Sequence, residues 1–152
     1  MPFQTISTKR FSDLVVHELD PSVGYSRQSV NVTPPAAGAA IPMGTIGVRA
    51  KSTNPAAAYA ILSDAADLVA TNEFVVLYGD CYGQKGDFVP FAVQAGEFNA
   101  VGFVGHNGGL QLKEYFVKQI AQDADGAALT DAEFESLRQL LNVQGITLLE
   151  TK

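Results

Sequence analysis

The chain is poor in the residues that build disulfides, metal sites and catalytic centres. It has no tryptophan, two histidines, His17 and His106, and a single cysteine, Cys81. One cysteine cannot form an internal disulfide, so the stability of the fold must come from packing, to which association with other subunits can add. A catalytic histidine needs a carboxylate and a nucleophile beside it, and no spacing in the sequence indicates such a set. We therefore expect no enzymatic activity, no cofactor and no bound metal.

Charged residues and long apolar runs are also scarce. Charged residues make up 17% of the chain, and the net charge is −6. The basic residues are scattered, so no cluster could neutralise a run of phosphates. No segment approaches the ~20 apolar residues that span a bilayer, and residues 1–6 lack the pattern of a signal peptide. We expect no nucleic-acid partner, no membrane insertion, and synthesis in the cytoplasm.

The composition favours short strands joined by turns. The 152 residues suit one domain, 47% of them are hydrophobic, and the chain contains 14 glycines and 7 prolines. This mixture is typical of domains in which strands predominate over long solvated helices. The sequence therefore predicts an α+β fold, mainly β. We expect a compact, small-barrel-like domain with one or two short helices and an extended N-terminal arm.

Alternating patterns and apolar runs predict five strands, over residues 28–33, 45–50, 74–78, 88–93 and 98–104. Residues 74–78 are β-branched and aromatic almost throughout, which predicts a strand buried on both faces. Pro90 lacks an amide donor, so the strand over residues 88–93 belongs at an edge or a bulge. Residues 56–70 fit a helix by their alanine content or a buried strand by their apolar run, and both readings stay open.

Two helices are predicted towards the C-terminus. Apolar residues four apart, with charged residues between them, predict an amphipathic helix through Leu112, Phe116 and Ile120. Thr130 and Glu133 have the spacing of a capping box, in which each side chain bonds the backbone amide of the other residue. A second helix therefore begins after Thr130. It ends near residues 142–145, and residues 146–149 form a closing strand.

The first 24 residues are apolar in places but keep no period of two or of 3.6, and they end at a turn-like segment. We interpret residues 1–24 as an extended arm that precedes a single domain over residues 25–152. Burial by a partner would stabilise such an arm at about 25 cal/mol per Å² of apolar area. Packing of the arm on its own core is the alternative. The candidate contact residues are Phe3, Ile6, Phe11, Leu14 and Val15.

Residues 123–133 superficially resemble a calcium-binding loop. If Gly126 takes the sixth position, the first and twelfth positions fall on Ala121 and Ala132, so Glu133 comes one residue late. We favour a turn followed by a capped helix. Cys81 has no second cysteine at metal-binding or redox spacing, which favours a structural thiol. No spacing singles out an acid-base pair among the carboxylates Asp64, Asp67, Asp80 and Asp87.

Four motifs occur in a familiar order: Thr45-Ile46-Gly47-Val48, Ala58-Tyr59-Ala60-Ile61-Leu62, the run over residues 74–78, and Phe134-Glu135-Ser136-Leu137-Arg138 through Gly145-Ile146-Thr147-Leu148. Together they resemble the lambda-type head decoration, or capsid cement, proteins of bacteriophages. The resemblance covers roughly residues 25–149. It implies a β-clip-like body that follows an extended arm and ends with a helix and a short strand.

The resemblance also implies a function. Proteins of this family are structural and lack catalytic residues. They bind the outer surface of the expanded capsid and stabilise it against internal DNA pressure. By similarity, the partner is the major capsid protein of a phage head, the protein is located on the surface of the virion capsid, and the arm adds a strand to a capsid-protein sheet. Homotrimers are usual in the family, but the longer segment between residues 78 and 122 leaves a dimer as the alternative.

The competing hypothesis is a small β-barrel module that binds a ligand or belongs to a phage tail. Such a module needs a concave pocket lined by aromatic side chains. The aromatic residues that would line it are Tyr78, Tyr82 and Phe91.

Overall fold

The computed structural model describes residues 14–18, 27–33, 41–80, 98–105 and 109–150. The strands are β1 (Val15–His17), β2 (Arg27–Val32), β3 (Ile46–Ala50), β4 (Ala60–Ile61), β5 (Asn72–Asp80), β6 (Phe98–Phe103), β7 (Leu110–Lys113) and β8 (Ile146–Leu149). The helices are α1 (Glu114–Ile120) and α2 (Asp131–Val143). Strands predominate, as predicted, and the fold is α+β, mainly β.

Five strands form a sheet in the order β2-β6-β5-β3-β4. The two outer strands of this sheet meet at Tyr59, which precedes β4 and forms a parallel bridge with Val32 of β2. The Tyr59 amide donates to the carbonyl of Asn31, and the Thr33 amide donates to the carbonyl of Tyr59, both at 2.8 Å. These two bonds join the edges of the sheet, which therefore closes into a small barrel.

The barrel interior is filled by side chains. Alternate residues of each strand point inward because successive side chains of a strand face opposite sides of the sheet. The interior residues that pack together are Val30, Val32, Ile41, Tyr59, Val75, Leu77, Ala100 and Val104. Gly47 and Gly102 complete the wall, since a Cβ at either position would overlap a methyl group of Val75. A five-stranded barrel is too narrow for a large residue at every inward position.

A second, larger core lies outside the barrel. The outward-facing residues of β3, β5 and β6 pack against a three-stranded sheet, of order β1-β7-β8, and against the helices. Strand β5 serves both cores: Phe74 and Val76 belong to the outer cluster, whereas Val75 and Leu77 belong to the barrel interior. The prediction that residues 74–78 form a strand buried on both faces is thus confirmed.

The structure confirms the other described strands that were predicted. Residues 28–33, 45–50, 98–104 and 146–149 correspond to β2, β3, β6 and β8 within one or two residues. The strand predicted over residues 88–93 lies outside the described residues. The segment over residues 56–70, for which helix and strand both stayed open, contains the two-residue strand β4 and a 3₁₀ turn at Ala65–Asp67.

Both predicted helices are present, with one change of boundary. Phe116 and Ile120 lie in α1, but Leu112 lies in the preceding strand β7, where its side chain enters the outer core. The capping box at α2 is confirmed: Thr130 Oγ1 accepts from the Glu133 amide at 3.3 Å, and Glu133 Oε2 accepts from the Thr130 amide at 2.7 Å. Local sequence marks this helix start because both bonds form within four residues.

Candidate functional site

Strand β1 joins the N-terminal part of the chain to the body. It pairs with β7, with Val15 opposite Leu112, and Leu14 is completely buried in the outer core. Leu14 and Val15 therefore belong to the body, which differs from the prediction that they lie in an arm extending to residue 24. The reason is tertiary: the outer core buries Leu14 completely, and Val15 packs against it partly buried. The other three candidate arm residues, Phe3, Ile6 and Phe11, lie outside the described residues.

A buried ion pair fixes the end of β1 to the barrel. Both Glu18 carboxylate oxygens accept from the guanidinium of Arg27, at 2.8 Å from Nε and at 2.7 Å from Nη2. Only 3% of the Glu18 side chain is exposed, compared with 26% of the Arg27 side chain. The hydrogen bond to Glu18 raises the pKa of Arg27. The bidentate geometry and the burial together make this pair a fixed joint between β1 and β2.

Arg27 also contacts the aromatic residues of the barrel wall. Its guanidinium lies 5.4 Å from the centre of the Tyr78 ring, and Tyr78 stacks on Phe103 with ring centres 4.9 Å apart. Tyr78 is thus engaged in packing with the outer core. Tyr82 and Phe91, the other aromatic residues of the predicted ligand pocket, lie outside the described residues.

The remaining candidate residues are dispersed or used structurally. His17 is exposed on β1, whereas Cys81, His106 and Asp87 lie outside the described residues. Asp64 accepts from the Ala66 amide and so caps a 3₁₀ turn. Within the part of the chain that the structure describes, no three side chains among His, Cys, Asp and Glu lie close enough together to hold a metal ion.

The calcium-like segment is a turn followed by a capped helix, as favoured from the sequence. Residues Ala124–Gly126 form a 3₁₀ turn, and Gly126 has a positive φ of 75°. The carboxylate of Asp123 accepts from the Ala65 amide at 2.7 Å, and this bond, with one from the Ala124 amide, lowers the pKa of Asp123. Asp123 therefore ties the turn before α2 to the turn after β4.

A cavity of about 410 Å³ lies at the mouth of the barrel. Sequence reasoning missed it. The inward-facing columns of three strands end in polar residues at this end: Gln28 in β2, Arg49 in β3 and Glu73 in β5. A polar residue that ends an otherwise apolar alternation is the sequence signal for a mouth residue. The sequence does not reveal that the barrel closes, and only this closure brings the three polar residues together around one cavity.

The wall of this cavity is held rigidly. Arg49 Nε donates to Glu73 Oε1 at 2.5 Å, its Nη1 donates to the carbonyl of Ala57, and its guanidinium lies 4.3 Å from the centre of the Tyr59 ring. Burial raises the pKa of the Tyr59 phenol, and the nearby Glu73 carboxylate raises it further. The positive charge of Arg49 is therefore neutralised by Glu73 and fixed in place by three contacts.

Gln144, at the C-terminal end of α2, closes one side of the same cavity. Its side-chain amide pairs with the backbone of Phe74 in both directions: Oε1 accepts from the Phe74 amide at 2.7 Å, and Nε2 donates to the Phe74 carbonyl at 2.8 Å. Strand β6 pairs with β5 only from Val76 onward, so Gln144 replaces a strand partner at Phe74. The helix end is thus attached to the sheet.

We expect Gln144→Ala to lower the free energy of unfolding by about 2 kcal/mol, because it leaves two partly buried backbone groups of Phe74 without their partner. Urea denaturation measures this change. Gln139→Ala is the matched control: Gln139 lies on the same helix, is exposed, and bonds only weakly with Glu135 at 3.4 Å. The control should remain within about 0.5 kcal/mol of the parent protein. Equal effects of both substitutions would contradict the assigned role of Gln144.

In the described ranges, no helix is long and apolar enough to cross a membrane. Comparison of the chain with protein-family models, with curated proteins and with solved structures gave no match.

Proposed function

We propose that this chain is a phage head decoration protein that binds the outer surface of the expanded capsid and reinforces it against internal DNA pressure. The observation that carries the proposal is the position of strand β1 and of the apolar residues that precede it. Among the described residues, β1 lies at one edge of the three-stranded sheet, next to the central strand β7. The thirteen residues before Leu14 include the large apolar residues Phe3, Ile6 and Phe11. An apolar segment that leads into an edge strand suits binding by strand addition to a partner sheet.

The anchoring of β1 supports a role for this segment in transmitting mechanical force from the capsid to the body. A segment that attaches the folded domain to a capsid can hold it there only if the residues where the segment joins the domain stay in place. Leu14 is buried in the outer core, and Glu18 is held by two hydrogen bonds to Arg27. Tension on the N-terminal segment would therefore pass into two packed sheets. The proposal places the protein on the virion capsid surface, with the major capsid protein as partner and a homotrimer as the assembly unit, or else a dimer.

The alternative of a ligand-binding small barrel meets a specific obstacle in the barrel interior. Tyr59, Val75 and Leu77 pack together there, and all three are buried. Small barrels hold a ligand inside only when their interior is not already occupied by side chains. The interior of this barrel therefore offers no site for an enclosed ligand among the described residues.

The test is a full-length variant with serine at the three apolar positions, Phe3→Ser/Ile6→Ser/Phe11→Ser. Binding is measured by co-sedimentation with expanded heads of a phage that carries this gene. We expect the affinity to fall at least about tenfold, because each apolar contact contributes on the order of 1 kcal/mol or more when buried. The melting temperature is measured alongside binding, because packing of the arm on its own core, the alternative, predicts that the three substitutions lower the melting temperature as well as the affinity.

Val69→Ser is the matched control. Val69 is an exposed apolar residue in the turn before β5, far from β1 in the sequence. This variant should bind expanded heads as the parent protein does. A deletion of residues 1–13, which keeps Leu14 and β1, should behave like the triple variant. Undiminished binding by the triple variant and by the deletion would overturn the proposal.

A further inference from the structure

The cavity at the mouth of the barrel combines a fixed wall with one uncommitted cation. Arg49 and Glu73 neutralise each other across β3 and β5, where they are paired residues. Lys51 comes directly after β3, two residues beyond Arg49, and also lines the cavity. Its amide donates to the carbonyl of Thr71, but its ammonium group has no partner among the described residues. The described lining of the cavity therefore carries a net positive charge.

Several groups around Lys51 can donate hydrogen bonds. Ser52 and Thr53 line the cavity beside it, and a hydroxyl group can rotate to donate its hydrogen to a ligand. Ser52 Oγ accepts from the Asn54 amide at 3.1 Å, which occupies one of its lone pairs and leaves its O–H able to donate. Both amide atoms of Gln144 are already bonded to Phe74. An anionic oxygen acceptor matches this set better than a cation or a neutral donor does.

The rim of the cavity is apolar. Val143 is 83% exposed at the end of α2, and Pro55 is exposed on the opposite turn. Val143 also borders a shallow groove, which is lined by Leu140 of the same helix and by Leu68 of the segment before β5. A free inorganic anion would leave this apolar rim uncovered. An acidic side chain that arrives on a polypeptide would place its carboxylate at Lys51 and its neighbouring apolar residues over Val143.

We propose that the barrel mouth is a second binding site, which takes an acidic side chain of a partner polypeptide, with Lys51 as the contact for the carboxylate. The inference concerns a surface separate from β1 and does not depend on the proposed binding to capsids. The protein's net charge of −6 repels acidic partners in general, so an acidic segment needs a locally positive site in order to bind. The site would thus fix where an acidic segment can dock.

The test uses the full-length ¹⁵N-labelled protein and two peptides of defined sequence, acetyl-Ala-Val-Glu-Val-Ala-amide and its counterpart with glutamine in place of glutamate. We expect the acidic peptide to shift the backbone amide signals of residues 51–53 and 143–144 in a saturable way, and the glutamine peptide to bind at least about threefold more weakly. Lys51→Gln should weaken binding of the acidic peptide about threefold, and Lys51→Glu about tenfold, as expected for one solvent-accessible ion pair and its reversal.

Lys113→Gln is the matched control, because Lys113 is a lysine of β7 that does not line the cavity. It should leave peptide binding unchanged. Inorganic phosphate forms a third arm: if it binds at Lys51 more tightly than the peptide does, the site takes small anions and the proposal is wrong. Equal binding of both peptides, or shifts spread over the whole surface, would also overturn it. Loss of capsid binding by the arm variant with peptide binding intact would show that the two sites are independent.

Discussion

Replacing Arg27 with alanine is expected to lower the free energy of unfolding by about 3 kcal/mol, because the substitution leaves a buried carboxylate without its partner. Breaking a buried ion pair by removing one member costs about 3–5 kcal/mol, and the partial exposure of Arg27 places this case at the lower end. Glu18 is almost completely buried, and Arg27 supplies both of its charged hydrogen bonds. The variant also loses the contact between Arg27 and the Tyr78 ring. Chemical denaturation monitored by circular dichroism measures the change.

Lys118→Ala is the matched control for this experiment. Lys118 forms an ion pair of similar length with Asp131, 2.7 Å, but both side chains are exposed, at 44% and 94%. Solvent-exposed pairs of this kind contribute little to stability. We therefore expect Lys118→Ala to unfold at the same denaturant concentration as the parent protein. A loss for Arg27→Ala no larger than that for Lys118→Ala would contradict the role of the buried pair.

A double variant separates the effect of the unpaired charge from a general loss of packing. Glu18→Leu/Arg27→Leu replaces both members of the pair with apolar side chains of moderate size. Replacement of a whole buried pair by apolar residues is often neutral or stabilising. The double variant should therefore recover most of the stability that Arg27→Ala loses. If the proposed function is right, Arg27→Ala should also bind expanded heads more weakly, because Glu18, where the N-terminal segment joins the folded domain, has lost its partner.

Gly102→Ala is expected to destabilise the protein by a similar amount, about 3 kcal/mol, through crowding inside the barrel. A Cβ at position 102 would lie 2.4 Å from Cγ2 of Val75 and 3.1 Å from the carbonyl oxygen of Val76. Val75 is completely buried in the middle strand of the barrel, so it cannot move aside without moving β5. Overpacking of a filled core typically costs 1–3 kcal/mol, and this overlap lies at the upper end.

A second substitution, at Val75, tests whether overlap with this side chain causes the loss of stability in Gly102→Ala. Val75→Ala alone should cost about 2 kcal/mol through the lost methyl groups. In the double variant Val75→Ala/Gly102→Ala, the added and removed methyl groups share one space, so the two losses should not add. Gly126→Ala serves as the control, because its Cβ would meet nothing within 4 Å and only its positive φ of 75° is strained. Fully additive losses, or a Gly102→Ala variant as stable as Gly126→Ala, would contradict the crowding argument.

Some features of this fold could be predicted from the sequence, and others could not. The start of α2 was predictable to the residue, because Thr130 and Glu133 bond each other's backbone within one turn. The burial of residues 74–78 on both faces was predictable from their apolar run, since a half-exposed strand would alternate. The boundary between β7 and α1, just after Leu112, was not predictable. Apolar residues four apart fit the end of a strand followed by a helix as well as one longer helix.

The sequence alone determined the class of the fold, α+β and mainly β, through its composition, its alternating strands and its capping box, all of which depend on neighbours close along the chain. The tertiary structure alone decided that Leu14 and Val15 belong to the body, that Glu18 meets Arg27, and that Tyr59 closes the barrel and so creates its polar mouth. Each of these features depends on contacts that join different strands. Chain patterns specify which face of a strand is apolar, but the assembled core determines what that face meets.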